Sequence, residues 1–366
     1  MKVLVTGAEG FVGKNIRSVL ATLNHQVVTF DRDNDPSELI RLAKDCEAVI
    51  HLAGVNRPAN PEDFYSGNTD LTRHLCLALK ANNNNCPVIL SSSIQVANDN
   101  DYGKSKKGAE EALQNLSTTN GNKIYIFRFK NLYGKWSRPN YNSVVATWCY
   151  NVARGLENKI DNPDTTIELC YIDDVVDAII GKLDGKEKTG YYEVKATDSI
   201  PLGELHSIIL SFKQSRQTYS YPDQSTRLKK NLYATYLNYL PADSFSYFLK
   251  TNSDDRGSFT EILKSSTEGQ VSVNVSKPGI TKGQHWHSTK NEKFLVIAGE
   301  GVIQLRDYFS KEIIEYPVSG SELEVVDIPT GYVHNIINKG DSELITLIWA
   351  SELFNSSKPD TNYQEV

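Results

Sequence analysis

Long apolar runs are absent from this chain. No stretch of about 18 apolar residues occurs among its 366 residues, which argues against a membrane-spanning helix. The opening run Val3-Leu4-Val5 is too short for a secretory signal and leads straight into a glycine turn. The chain is therefore expected to fold from residue 2 and to stay cytoplasmic, with no membrane partner. Positive charge is also in short supply. Against 45 Asp and Glu stand 39 Lys and Arg, for a net charge of −6. A nucleic-acid surface needs basic excess, so no nucleic-acid partner is expected. Cysteine is scarce and poorly placed for crosslinking. Cys46, Cys76, Cys86, Cys149 and Cys170 are odd in number, lie in the first half, and form no C-x-x-C pair. Neither a disulfide framework nor a cysteine zinc site is expected, only reduced, buried thiols. Internal repeats and low-complexity tracts are missing as well.

What is present fits two globular domains. Hydrophobic residues make up 39% and charged residues 23% of the chain, and at ~150 residues per domain the length suits two. Residues 2–130 alternate short β-branched runs with amphipathic stretches. Val3–Thr6, Gln26–Phe30, Ala48–Leu52, Val88–Ser92 and Lys123–Phe129 read as strands. Lys14–Leu23, Pro36–Lys44, Thr69–Ala81 and Lys104–Leu116 read as helices. That alternation predicts a Rossmann-type, doubly wound parallel sheet in an α/β domain. The pattern loosens after residue 130, which reads as an irregular substrate lobe. Beyond about residue 245, short strand-like runs recur between Gly, Pro, Asn and Asp, as in a small all-β barrel. The predicted domains are 1–245 and 246–366.

Between the first strand and first helix stands Thr6-Gly7-Ala-Glu-Gly10-Phe11-Val12-Gly13. Glycines there permit a tight turn, and a helix N-terminus offers N–H donors to a pyrophosphate. Asp31 follows the second strand and suits a ribose 2′-OH, favouring NAD. Arg32, its neighbour, suits the 2′-phosphate of NADP, so the spacing leaves the choice open.

Tyr102 and Lys106 lie four apart at the start of a helix, on one face, after a strand ending in Ser93. Ketone reduction needs a hydride and a proton. A tyrosine can give the proton, but its free pKa of about 10 suits pH 7 poorly. Lowering it by about three units takes about 4 kcal/mol. One ammonium at about 4 Å, at an effective dielectric of about 20, supplies roughly that. Ser93 can align the carbonyl oxygen.

These features, with His51-Leu52-Ala53-Gly54, Arg128-Phe-Lys-Asn131-Leu-Tyr-Gly134 and Tyr171-Ile-Asp-Asp174, resemble the extended short-chain dehydrogenase/reductase family over the first ~245 residues. The resemblance implies a catalytic set of Ser93, Tyr102 and Lys106. It implies cofactor contacts from Gly7, Gly10, Phe11, Val12, Gly13, Asp31, Arg32, Leu52, Ala53 and Gly54 and from Tyr102 and Lys106 themselves, and places Asn131 near a sugar nucleotide's phosphates. Two departures stand out. Ile167 replaces the arginine often found four residues before the Tyr171 position. Ile94-Gln95 follows Ser93 where the 4,6-dehydratases carry an acid pair, so dehydration is not expected.

The second half carries Gly279-x5-His285-Trp-His287-x4-Glu292-x6-Gly299 and Pro329-Thr-Gly331-x2-His334-x3-Asn338. His285 and His287, two apart on a strand, share a face, and a turn can return Glu292 to them. Three imidazoles and a carboxylate suit a divalent metal such as Zn²⁺, with Fe, Mn and Ni open. The spacing resembles both cupin motifs, though Leu323 stands where a glycine is usual. Asp254-Asp-Arg256-Gly-Ser-Phe259 resembles a segment of the dTDP-4-keto-sugar 3,5-epimerases, in which the arginine contacts phosphate.

End to end, the chain resembles bifunctional enzymes of capsular and O-antigen synthesis. The resemblance implies that the cupin epimerises C3 of a UDP-2-acetamido-2,6-dideoxy-4-hexulose. The reductase then reduces C4 with NADPH, giving a 6-deoxy-L-talose-configured precursor of UDP-N-acetyl-L-fucosamine. A C3 proton is acidic only while C4 is a ketone, so epimerisation comes first. His285 is a candidate base if it is free of metal. The family also implies a homodimer. The alternative reading is a UDP-sugar 4-epimerase with retained NAD and a non-catalytic, sugar-binding cupin.

Overall fold

The computed structural model describes residues 1–195, 197–265, 267–357 and 359–366. It divides into two units, Met1–Leu210 with Gln224–Pro241, and Ser211–Asp223 with Ala242–Val366.

In the first unit, β1 (Lys2–Thr6), β2 (Gln26–Phe30), β3 (Ala48–His51), β4 (Val88–Ser93) and β5 (Ile124–Phe129) are the expected strands. Three short strands follow, β6 (Asn131–Tyr133), β7 (Thr166–Tyr171) and β8 (Gly190–Tyr192), then β9 (Asp198–Pro201). The main sheet runs in the order β2-β1-β3-β4-β5-β8 and is parallel throughout. Alternate residues of a strand face opposite sides of the sheet. Leu4, Val49, Leu90 and Ile126 pack against Leu75, Leu79 and Leu113 on one side. Val3, Val5, Ile50, Ile89 and Phe127 pack against Ile16, Leu20 and Ile179 on the other. Both faces are covered, which is why these strands read as continuous apolar runs. The strand order reverses between β1 and β3, and the crevice above such a switch point is where open α/β sheets bind ligands.

The region after residue 130 is more regular than its sequence suggests. β6, β7 and β9 form a small mixed sheet. The polar stretch 213–230 is entered by the helix Leu202–Thr218 and left by the helix Arg227–Asn238. Thr226 caps the second helix, its hydroxyl accepting the Lys229 N–H at 3.2 Å. All five cysteines are buried and unbridged. Among the described residues, no helix is long and apolar enough to cross a membrane.

The second unit holds the remaining strands. They are β10 (Thr251–Asp254), β11 (Gly257–Ser265), β12 (Gly269–Ser276), β13 (Thr281–Trp286), β14 (Glu292–Ala298), β15 (Glu300–Asp307), β16 (Ile314–Ser319), β17 (Val325–Ile328), β18 (Tyr332–Asn338), β19 (Leu344–Ala350) and β20 (Asn362–Tyr363). Two antiparallel sheets result, β10-β11-β12-β19-β14-β17 and β16-β15-β18-β13-β20. Two facing antiparallel sheets make the cupin-type jelly roll that the second-half motifs imply. Its apolar core gathers Phe294, Val296, Ile303, Leu305, Val326 and Ile336.

Candidate active site and metal centre

The glycine loop follows β1 at the switch point. Gly7 has φ +69°, and a Cβ there would lie 2.7 Å from the Ala53 nitrogen. A Cβ on Gly13 would lie 2.2 Å from the Gly7 carbonyl oxygen. Any side chain at either position would close the turn, so the loop keeps a cradle of bare backbone. The helix Phe11–Thr22 begins here with no acid in its first turn and no side chain capping it. Its N–H groups stay available to an anion, so the loop fits a dinucleotide pyrophosphate. Leu52 and Ala53 close the far side, both N–H groups bonding to Thr6, and the Asn68 side chain crowds Gly54. Asp31 Oδ1 accepts the Glu9 N–H at 2.9 Å, so it is drawn to the loop, while Arg32 is exposed.

Gly10, Phe11, Val12, Ser93, Tyr102 and Asn131 line one cavity of about 680 Å³. The structure thus gathers Ser93 and Tyr102 of the expected catalytic trio with the loop and with Asn131. Asn131 spends its Nδ2 on the Glu168 carbonyl at 3.0 Å. Ser93 hydrogen-bonds the Tyr102 phenol, and Lys106 donates to the Ser91 carbonyl at 2.6 Å. Burial pushes the Tyr102 phenol up, with the Ser93 bond pulling it back. Burial also pulls the Lys106 ammonium down to about 8, opposed by Glu110.

Glu110 escaped the sequence reading. It lies four residues beyond Lys106 on the same helix and is only 2% exposed. Its carboxylate accepts from Ser92 at 2.5 Å and from Arg128 at 3.0 and 2.6 Å. The regular spacing of residues 102, 106 and 110 was the available signal.

In the barrel, His285 on β13 pairs directly with His334 on β18. Register slips between Gly283 and His285, where Gln284 takes φ +63°. Such a bulge re-aims the side chain that follows it. The His285–His334 and His285–His287 ring centroids are 4.5 and 4.8 Å apart. Glu292 Oε2 lies 3.4 Å from His287 Nε2 and 3.2 Å from His334 Nε2. One donor atom from each of His285, His287, Glu292 and His334 lies within 4.8 Å of the others. Tetrahedral bonds of about 2.0–2.2 Å separate ligand atoms by a little over 3 Å, so the cluster fits a small divalent ion. His287 Nε2, Glu292 Oε2 and His334 Nε2 are buried without a hydrogen-bond partner, as donors awaiting an ion would be. Burial pulls the His285 ring down to about 4, helped by the two other imidazoles.

Asp360 was also missed. Its backbone oxygen meets His287 Nδ1, which turns Nε2 to the cluster. Its carboxylate accepts the N–H groups of Ser288, Thr289 and Lys290 at 2.8, 2.8 and 2.9 Å. It stands some 70 residues away among polar neighbours, so nothing local in the sequence marks it. Arg256 is not brought to the cluster. It sits on the β10–β11 turn, paired with Asp254 at 2.7 Å.

Comparison with known proteins agrees with this layout. Residues 3–194 match the NAD dependent epimerase/dehydratase family, and residues 252–362 match the polysaccharide biosynthesis C-terminal domain. UDP-2-acetamido-2,6-beta-L-arabino-hexul-4-ose reductase of Pseudomonas aeruginosa is 43% identical, over 99% of this chain and 98% of its own. The crystal structure of the capsular polysaccharide assembling protein CapF of Staphylococcus aureus superposes with a TM-score of 0.93 at 46% identity, covering 100% of both chains. UDP-glucose 4-epimerase of Thermus thermophilus, solved with NAD, shares the fold of the first part, with a TM-score of 0.55 and 17% identity over 65% of this chain and 99% of its own. The chain belongs to the NAD dependent epimerase/dehydratase family, in a form that carries a polysaccharide biosynthesis C-terminal domain.

Proposed function

We propose that the chain is a bifunctional sugar-nucleotide enzyme. Its barrel epimerises C3 of a UDP-2-acetamido-2,6-dideoxy-4-hexulose. Its first unit then reduces C4 with NADPH to UDP-N-acetyl-6-deoxy-L-talosamine, a precursor of UDP-N-acetyl-L-fucosamine for capsule or O-antigen. The observation that carries the reading is that one chain holds both a Ser93–Tyr102 pair beside a dinucleotide cradle and a three-histidine, one-carboxylate cluster. The full-length relative named as a 4-hexulose reductase supports the substrate class.

NADPH, when bound in the cradle, supplies the hydride. Tyr102 holds the proton for the C4 oxygen, and Ser93 aligns that oxygen. Lys106 keeps its charge, donating to the Ser91 carbonyl at 2.6 Å and steadied by Glu110 one turn further on. In the barrel, a divalent ion such as zinc would be held by His285, His287, Glu292 and His334 and would supply Lewis acidity when bound. His285 sits inside the donor cluster, which favours it as a ligand over a base for the C3 proton.

The test is the Tyr102→Phe variant. Removing a positioned proton donor typically costs about 10²–10⁴-fold in rate. NADPH oxidation on the 4-hexulose should fall by that factor while the protein stays folded. Oxidation at the wild-type rate would refute the assignment. A wild-type protein that retains NAD and consumes no NADPH would point to the 4-epimerase reading instead.

A further inference from the structure

The inner wall of the barrel departs from the rule for its fold. Strands of a sandwich turn apolar side chains inward and polar ones out. β12 does the reverse. Apart from Gly269, its buried positions are Gln270, Ser272, Asn274 and Ser276, at 7%, 1%, 4% and 0% exposure, whereas Val271, Val273 and Val275 lie on the more exposed face. β12 sits between β11 and β19, inside a six-stranded sheet, yet gives nothing to the apolar core. Burying polar groups is costly unless each is paired. Here the pairing is incomplete. Gln270 Nε2 donates to Ser272 Oγ at 2.9 Å, but Gln270 Oε1 is buried with no partner. Asn274 Oδ1 accepts from Lys282 at 2.9 Å.

These side chains face a space. Gln270, Ser272 and Asn274 line a cavity of about 440 Å³ whose wall also includes His285, His287 and Glu292. The cavity carries both acids and lysines, and no arginine is among its described lining residues. Such a wall suits neutral hydroxyl and amide groups better than a diphosphate. Successive inward residues of a strand stand about 6.6–6.8 Å apart, roughly one pyranose ring. Departures from folding rules at a cost to stability are expected at functional sites.

We infer that the inward Gln270–Ser272–Asn274 stripe recognises the uncharged acetamido-sugar ring beside the metal cluster, and that the diphosphate lies outside it. The inference rests on the epimerase reading of the barrel, and it names which residues of β12 read the sugar.

The test titrates the full-length protein calorimetrically with UDP-N-acetylglucosamine as the probe. The wild type should bind two equivalents per chain, one in each unit. Gln270→Met and Asn274→Leu, which keep volume and remove polar atoms, should each weaken one class of site at least tenfold and spare the other. Their melting temperatures should equal or exceed the wild type's, because a buried, partly satisfied network has been removed. Variants that bind like the wild type overturn the inference. So does a wild type with one equivalent that these substitutions leave unchanged. If either variant melts lower, Ser272→Ala decides. Weaker sugar binding at an unchanged melting temperature supports the stripe, and unchanged binding assigns it to the fold. Deuterium exchange at sugar C3 separates the two claims. A second sugar site without exchange removes the epimerase reading and leaves the stripe standing.

Discussion

His51 shows how burial sets protonation. Its ring lies between Thr6 and Thr72, with nitrogen–oxygen distances of 2.6 and 2.8 Å. Burial, and then the charge of Lys106, pulls it down to about 3. An unfolded histidine titrates near 6.5. Between those values the unfolded chain binds a proton that the folded chain refuses, so stability rises with pH across that window and falls on acidification. The integrated effect is on the order of 5 kcal/mol at most. His51→Asn should flatten the fall in melting temperature between pH 6.5 and 4, and an unchanged slope would count against the buried neutral ring. Asp360 makes a second case. Burial opposes its charge, but three N–H donors win and hold its carboxyl well below the usual range. Outer partners of metal ligands typically matter by about 10–100-fold in affinity. Asp360→Ala keeps the backbone oxygen on His287 but frees the segment that its carboxylate holds, and should weaken metal binding by about that factor in chelator competition; an unchanged affinity would show that the carboxylate does not position that oxygen. The clustering of the candidate metal donors was legible as sequence because their spacing within each motif is local. Asp360 was not, because its partnership exists only after β20 pairs with β13.

The elements of the first sheet were legible for a different reason. Strands buried on both faces are apolar at every position, and β1 to β5 fall where those runs fall. The barrel was harder. β13 reads Thr281-Lys-Gly-Gln-His-Trp286, with no alternation to announce it, because its bulge breaks the two-residue period. β12 shows the reverse difficulty. Alternation between residues 271 and 275 announces a strand, yet nothing local says that the valines turn outward. The bulge itself is testable. A left-handed backbone costs a non-glycine residue roughly 1–2 kcal/mol, and a β-branched side chain fits it worst. Gln284 already bears that cost, so Gln284→Val should add only the crowding of its β-branched side chain, on the order of 1 kcal/mol in denaturant unfolding, and should weaken metal binding because His285 is aimed by the bulge. Unchanged stability and metal affinity together would show that it does not set the ligand geometry.

At the scale of the whole molecule, the proposed function gives a reason for two sites in one chain, namely that its two steps share one ketone. Abstraction of the C3 proton needs the C4 carbonyl, and reduction removes it. On the proposed function the barrel, second in the chain, acts first, and reduction then draws the epimer forward. That proposed ordering follows from chemistry and both motifs alone, whereas the lining of each cavity needed the fold. The direct measurement incubates full-length, metal-loaded protein with the 4-hexulose in D₂O without NADPH, and reads deuterium at C3. The account predicts incorporation above the enzyme-free background in the wild type and in Tyr102→Phe, and its loss in His334→Ala. A folded, metal-loaded wild type that leaves C3 free of deuterium, or a His334→Ala variant that exchanges as fast as the wild type, would contradict it.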